Sequence, residues 1–114
     1  MTKLANAETS VPISRREMFK TNSGAVYPRR EGKDGVLYVV YSYGDHFPMW
    51  VYDGQINQWF GNSDSWSRTT SKQQSQTRPP VEMTMCDTTK LHQIIGWGGY
   101  TQYTAKRIMR EETS

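Results

Sequence analysis

The sequence has little from which to build a chemical site. Its 114 residues include one cysteine, Cys86, and two histidines, His46 and His92. A single thiol excludes an internal disulfide. Positions 46, 86 and 92 also lack the paired spacing of a zinc set. There is no GxSxG elbow, and Asp45 adjoins His46, so the two side chains point to different sides and cannot orient each other in a triad. The glycines of Gly96-Trp97-Gly98-Gly99 lack the phosphate-loop spacing and a preceding strand, and read as a helix break with Trp97 in the core. No apolar run nears the roughly 18 residues that cross a bilayer. The first residues, MTKLANAETSVP, lack the apolar region of a secretory leader, so the expected compartment is a cytoplasm. Hydrophobic residues make up only 35% of the chain, and the mean hydropathy is −0.80. These absences point to a non-catalytic protein with no cofactor and no metal.

What the chain does have is aromatic bulk and a mild positive charge. Aromatics are 12% of the sequence, and each buries a large area in a core that is otherwise modest at this length. A net charge of +3 suits nucleic acid or an acidic protein partner and demands neither. Residues 1–12 are small and polar and read as a flexible arm, leaving 13–114 as a single domain. Ser14 and Glu17 have capping-box spacing, with Ile13 and Met18 at the staple positions, which predicts a helix over 15–20. Ala25 to Tyr27 reads as a short extended piece interrupted by Pro28, and Glu31 to Gly35 as a turn.

Val36 to Tyr43, VLYVVYSY, is the strongest strand signal. Both of its alternating faces are largely apolar, which predicts a central strand with one face only partly covered. His46 to Tyr52 follows, with Pro48 marking an edge or a bulge. Asp53-Gly54 is a hairpin turn, and Ile56 to Phe60 is a third strand. Val81 to Met85 is a last short strand that runs into a buried Cys86. Asp87-Thr88-Thr89 caps a helix over Lys90 to Gly96, with Leu91, Ile94 and Ile95 inward and His92 on the polar side. A final helix over 101–111 would set Tyr100, Tyr103, Thr104, Ile108 and Met109 against Lys106, Arg107 and Arg110. The expected fold is α+β: an antiparallel sheet of three to five strands, with a meander over 36–60, packed against one or two C-terminal helices.

Trp59 to Pro80, WFGNSDSWSRTTSKQQSQTRPP, combines aromatics, three cations and many hydroxyl and amide groups with one acid, Asp64. Residues 67–76 show neither an apolar helical stripe nor strand alternation. Thr69 or Thr70 would cap a single polar turn of helix, with Gln73 at the capping-box position. Trp66, Arg68, Thr70, Lys72, Gln73, Gln74, Gln76 and Arg78 form the candidate binding face. Its cations suit phosphates, Trp59, Phe60 and Trp66 suit base stacking, and the amides and hydroxyls suit hydrogen bonding. A second basic group, Arg15, Arg16, Lys20, Arg29 and Arg30, would extend the same path. The plainer reading makes Trp59 and Trp66 core and the charges a solvated face. No RNP, helix-turn-helix or zinc-finger spacing is present.

Tyr41 to Gly44, Pro48, Trp59-Phe60, Asn62 and Ser67 to Gln76 resemble a small domain, without an established activity, found in bacteriophage and mobile-element proteins. The likeness covers residues 24–80 and departs at Gln73, where that pattern often has His. It implies a viral origin. The function it suggests is a phage-type binding protein in the host cytoplasm, acting by protein–protein inhibition on a host nucleic-acid-handling machine of defence or transcription. Its partner would be a host protein or nucleoprotein complex. Direct nucleic-acid binding through 59–80, and a minor virion component, are the alternatives.

Overall fold

The strand-forming run at the centre of the sequence becomes an inner strand buried along its whole length. The computed structural model describes residues 3–42, 47–64 and 68–96. Among these residues seven strands run in chain order: β1 Lys3–Leu4, β2 Lys20–Thr21, β3 Val26–Glu31, β4 Leu37–Ser42, β5 Pro48–Asp53, β6 Gln58–Asn62 and β7 Thr84–Cys86. Three α-helices accompany them: α1 Ser10–Ser14, α2 Arg68–Thr77 and α3 Thr88–Gly96. β3 to β7 form a five-stranded sheet in that order, antiparallel except for the β6–β7 pair. β1 and β2 form a separate parallel pair. The α+β fold with a sheet and a C-terminal helix is therefore the one the sequence predicts.

Alternation along β4 sends Tyr38, Val40 and Ser42 to one face and Leu37, Val39 and Tyr41 to the other. Register extends those faces to the next strand, with Tyr38 opposite Tyr52 and Val40 opposite Trp50. The first face packs Tyr38, Val40, Trp50 and Trp59 against Ile13 and Phe19 of the N-terminal segment. The second packs Leu37, Val39, Val51 and Phe60 against Leu91 and Ile94 of α3. The expectation of a partly covered face is thus corrected: every residue of β4 is buried. The cover comes from Ile13 and Phe19, with Leu4 of the segment expected to be a flexible arm packed against the same cluster.

Those N-terminal residues are organised differently from their sequence reading. Residues 3–14 form β1, a 3-10 turn at Asn6–Glu8 and α1, and Thr9 is buried. The helix expected over 15–20 is instead α1. Pro12 lies in its first turn, where a missing N–H costs nothing, and the Ser14 hydroxyl donates to the Val11 carbonyl at 2.7 Å. Arg16 then takes a left-handed φ of 57° and ends the helix. Pro48 begins an inner strand rather than an edge, and the irregularity it required falls opposite, between Val40 and Tyr41. At the start of α3 the Asp87 carboxylate accepts the Lys90 N–H at 2.8 Å, as the cap predicted. Trp97, the glycines after it and the helix over 101–111 lie outside the described residues, as does His46.

Candidate functional site

The tract read as a single polar turn is a ten-residue helix, α2. It lacks an apolar stripe because its buried stripe is polar: Thr70, Gln73 and Thr77, at i, i+3 and i+7, all point inward. Each buried group is tied to its surroundings. Gln73 Oε1 accepts the Ser42 hydroxyl of β4. Thr77 Oγ1 accepts the Trp50 indole N–H at 3.0 Å and donates to the Gln73 carbonyl at 2.7 Å. Ser42 and Trp50 both lie on the first face of the sheet, so α2 covers that face beside α1. At its flank Gln74 Nε2 donates to the carbonyls of Asn62 and Asp64, at 3.1 and 3.2 Å.

A second knot fixes the segment that leads into the helix. Asn62 Nδ2 donates to the Pro48 carbonyl at 2.8 Å and to the Thr88 hydroxyl at 3.0 Å. Asp64 Oδ2 accepts the Thr88 N–H at 2.9 Å. Hydrogen bonds from Thr88 favour the charged form and hold the Asp64 carboxyl below its ordinary range.

The outer side of α2 is free of these duties. Arg68, Thr69, Lys72 and Ser75 are exposed, and Arg68, Lys72 and Ser75 follow one another at i, i+4 and i+7. Arg78, just past the helix, is exposed, with its guanidinium 6.0 Å from the centre of the Trp50 ring. No acid occurs from Ser65 to Val81. Grooves run along both flanks. One, of about 420 Å³, lies between α2 and the N-terminal segment; Asn6, Asn22, Ser23, Thr69, Lys72 and Gln76 line it, with no carboxylate. The other, of about 410 Å³, is walled by Trp50, Asn62, Asp64, Gln74, Arg78 and Met85.

No protein-family model, curated protein or solved structure matches the chain. The functional reading therefore rests on the geometry and on the sequence pattern.

The candidate residues divide into two groups. Arg68, Lys72, Gln76 and Arg78 lie together on or beside the outer side of α2. Thr70 and Gln73 are buried and anchor the helix, while Gln74 clamps the preceding segment. Trp66 lies outside the described residues. Trp59 and Phe60, suited by type to base stacking, are buried on opposite faces of the sheet and present no ring to a ligand. Asn6, Asn22 and Ser23 share a groove with Lys72 but are remote in sequence, and no local signal joins them to it. Trp50 was legible only as a strand residue; its partnership with Thr77 spans 27 positions.

Proposed function

We propose that this is a non-catalytic binding protein of the phage type, which docks on a host nucleic-acid-handling machine through the outer side of α2 and inhibits it. The observation that carries this reading is the division of α2 into two sides. Its buried polar stripe fixes the helix to the sheet, and its outer side offers Arg68 and Lys72 in a stretch with no acid from Ser65 to Val81, with Arg78 beside them in the groove that Asp64 also lines. A ridge held in place before contact loses little freedom on binding, and its cations favour an acidic partner surface. Nucleic-acid channels are themselves basic, so like charge turns this ridge away from the channel of such a machine. An acidic surface outside the channel is the complementary target. The host-directed part of the reading is supported by the phage-like pattern of Tyr41 to Gly44 and Ser67 to Gln76.

The experiment is capture from bacterial host lysate, with and without nuclease, using the wild type and the Arg68→Ala/Lys72→Ala variant. A captured protein that survives nuclease and is lost with the variant is the expected result. Capture that disappears both with nuclease and with the substitutions assigns the face to nucleic acid instead, and capture unaffected by the substitutions moves it away from α2.

A further inference from the structure

At the end of the first face farthest from α2, strand register aligns four residues in one row. Arg30 of β3 is opposite Tyr38 of β4, Tyr38 is opposite Tyr52 of β5, and Tyr52 is opposite Trp59 of β6. The three rings pack on one another: Tyr52 and Trp59 have centroids 5.2 Å apart, and Tyr38 meets Trp59 edge-on at 6.3 Å. Two guanidiniums cap this row. Arg30 lies over Tyr38 at 5.3 Å and Arg16 over Tyr52 at 4.6 Å. Arg16 reaches its ring from the left-handed turn that ends α1. The Tyr38 hydroxyl donates to the Glu17 carbonyl at 2.6 Å, and burial pushes its pKa far above the ordinary range, so it remains a donor.

Each guanidinium is held without being neutralised. Arg30 Nη2 donates to the Arg16 carbonyl at 3.2 Å, and Arg16 Nη1 donates to the Ser14 carbonyl at 3.0 Å. Among the described residues neither makes an ion pair; Glu17 is a neighbouring acid but lies outside ion-pair range of both, and Glu31 pairs with Arg29 at 3.2 Å. A guanidinium has five donors, so most remain unused. Rings fix the planes of both groups, and an oriented guanidinium matches the paired oxygens of a phosphate. Two like charges above neighbouring strands also repel, and an anion between them relieves that repulsion.

We propose that Arg16 and Arg30 form a phosphate-binding pair for the backbone of nucleic acid, independent of the outer side of α2. A backbone is favoured over a free phosphate because Arg30 is exposed and Arg16 half-buried, neither lines a groove flanking α2, and exposed Arg15 adjoins Arg16 in the chain; Arg29 points to the second face and pairs with Glu31. The rings beneath are occupied by the guanidiniums, so bases have no platform and binding is indifferent to sequence. Tyr38 and Ser42 are four positions apart on β4, which sets the pair about 13 Å along the strand from the docking point of α2. The protein would then hold both a nucleic-acid-handling protein and its nucleic acid.

Titration of labelled mixed-sequence oligonucleotides, single-stranded and duplex, at about 50 and 200 mM salt tests the pair. Wild type should bind both irrespective of sequence, and more weakly at the higher salt. Arg16→Gln/Arg30→Gln should weaken binding roughly tenfold to a hundredfold at the lower salt. It should also reduce the log–log salt slope by about 0.7–0.9 for each phosphate no longer neutralised. Arg30→Lys, which keeps the charge but not the fork, should fall between, and Arg68→Ala/Lys72→Ala should weaken binding far less than the double glutamine variant, through the general loss of positive charge alone. Inorganic phosphate should compete poorly; strong competition would mean a small-anion site and overturn the backbone assignment. The proposal fails if wild type does not bind at the lower salt, if the folded double glutamine variant or Arg30→Lys binds as well as wild type does, or if the α2 variant no longer binds the oligonucleotide. Because this assay contains no host protein, its outcome is separate from that of the capture experiment.

Discussion

Thr77→Val tests whether a polar stripe really fastens α2 to the sheet. Thr77 is fully buried, and its hydroxyl serves two partners, accepting from Trp50 Nε1 and donating to the Gln73 carbonyl. Valine has nearly the same shape and a similar helix propensity, so packing and backbone preference stay almost constant. What changes is that the buried Trp50 N–H is left without its acceptor. An unsatisfied buried donor costs about 1–3 kcal/mol. At this chain length each kcal/mol moves the melting temperature by about 3–6 °C, so a fall of roughly 3–18 °C is expected. Ser75→Val, on the exposed side of the same helix, should change stability by no more than about 0.5 kcal/mol. Gln73→His is the second control, since an imidazole nitrogen can accept the Ser42 hydroxyl as the amide oxygen does; it should cost less than Gln73→Leu. Thermal and urea unfolding of these variants give the comparison. If Thr77→Val and Ser75→Val melt alike, the Trp50–Thr77 hydrogen bond does not hold the helix, and the two-sided description of α2 is wrong.

Three other perturbations examine the fold and its charges. At Gly61, a β-carbon would meet Met83 Sδ at 2.5 Å, Met85 Sδ at 2.8 Å and the Trp50 ring at 3.1 Å; Gly61→Ala should cost about 1–3 kcal/mol, read by urea unfolding. Trp59→Ala removes the ring that Tyr38 and Tyr52 share and should cost about 3–5 kcal/mol, enough to unfold much of a marginal domain, as circular dichroism would show. Burial raises the Asp53 carboxyl above its ordinary 3.8 despite hydrogen bonds from Gln55 and Ile56. Between 3.8 and that raised value the folded state binds more protons than the unfolded chain, so Asp53 lowers stability as pH rises. Asp53→Asn removes that penalty, so the variant's stability relative to wild type should grow with pH through this window; a constant difference would contradict the assignment.

The parts of the fold that could be read in advance are those whose signals are local and apolar. β4 to β6 follow from alternation and from the Asp53-Gly54 turn, and α3 from Leu91, Ile94 and the Asp87 cap. The sequence alone supports only one turn of α2, because hydropathy cannot register a buried stripe of Thr70, Gln73 and Thr77. Their partners Ser42 and Trp50 lie 31 and 27 positions away, so only tertiary structure shows that the stripe is buried. The same limit applies at the N-terminus, where Ile13, expected to staple against Met18, is instead buried with Phe19 under the sheet while Met18 is exposed. Of the candidate site, the cations and the absence of acids from Ser65 to Val81 are visible in sequence. The wall formed by Asn6 and Asn22, and the stacking of Arg16 on Tyr52, depend on register and chain return and had no sequence signature.

Stability and partner capture measured on the same Arg68→Ala/Lys72→Ala protein bear most directly on the outer side of α2. Both side chains are exposed, so stability should stay within about 0.5 kcal/mol of wild type, while nuclease-resistant capture of the proposed partner should disappear. A variant that melts normally and still captures the same protein would contradict the assignment of α2 as the docking ridge.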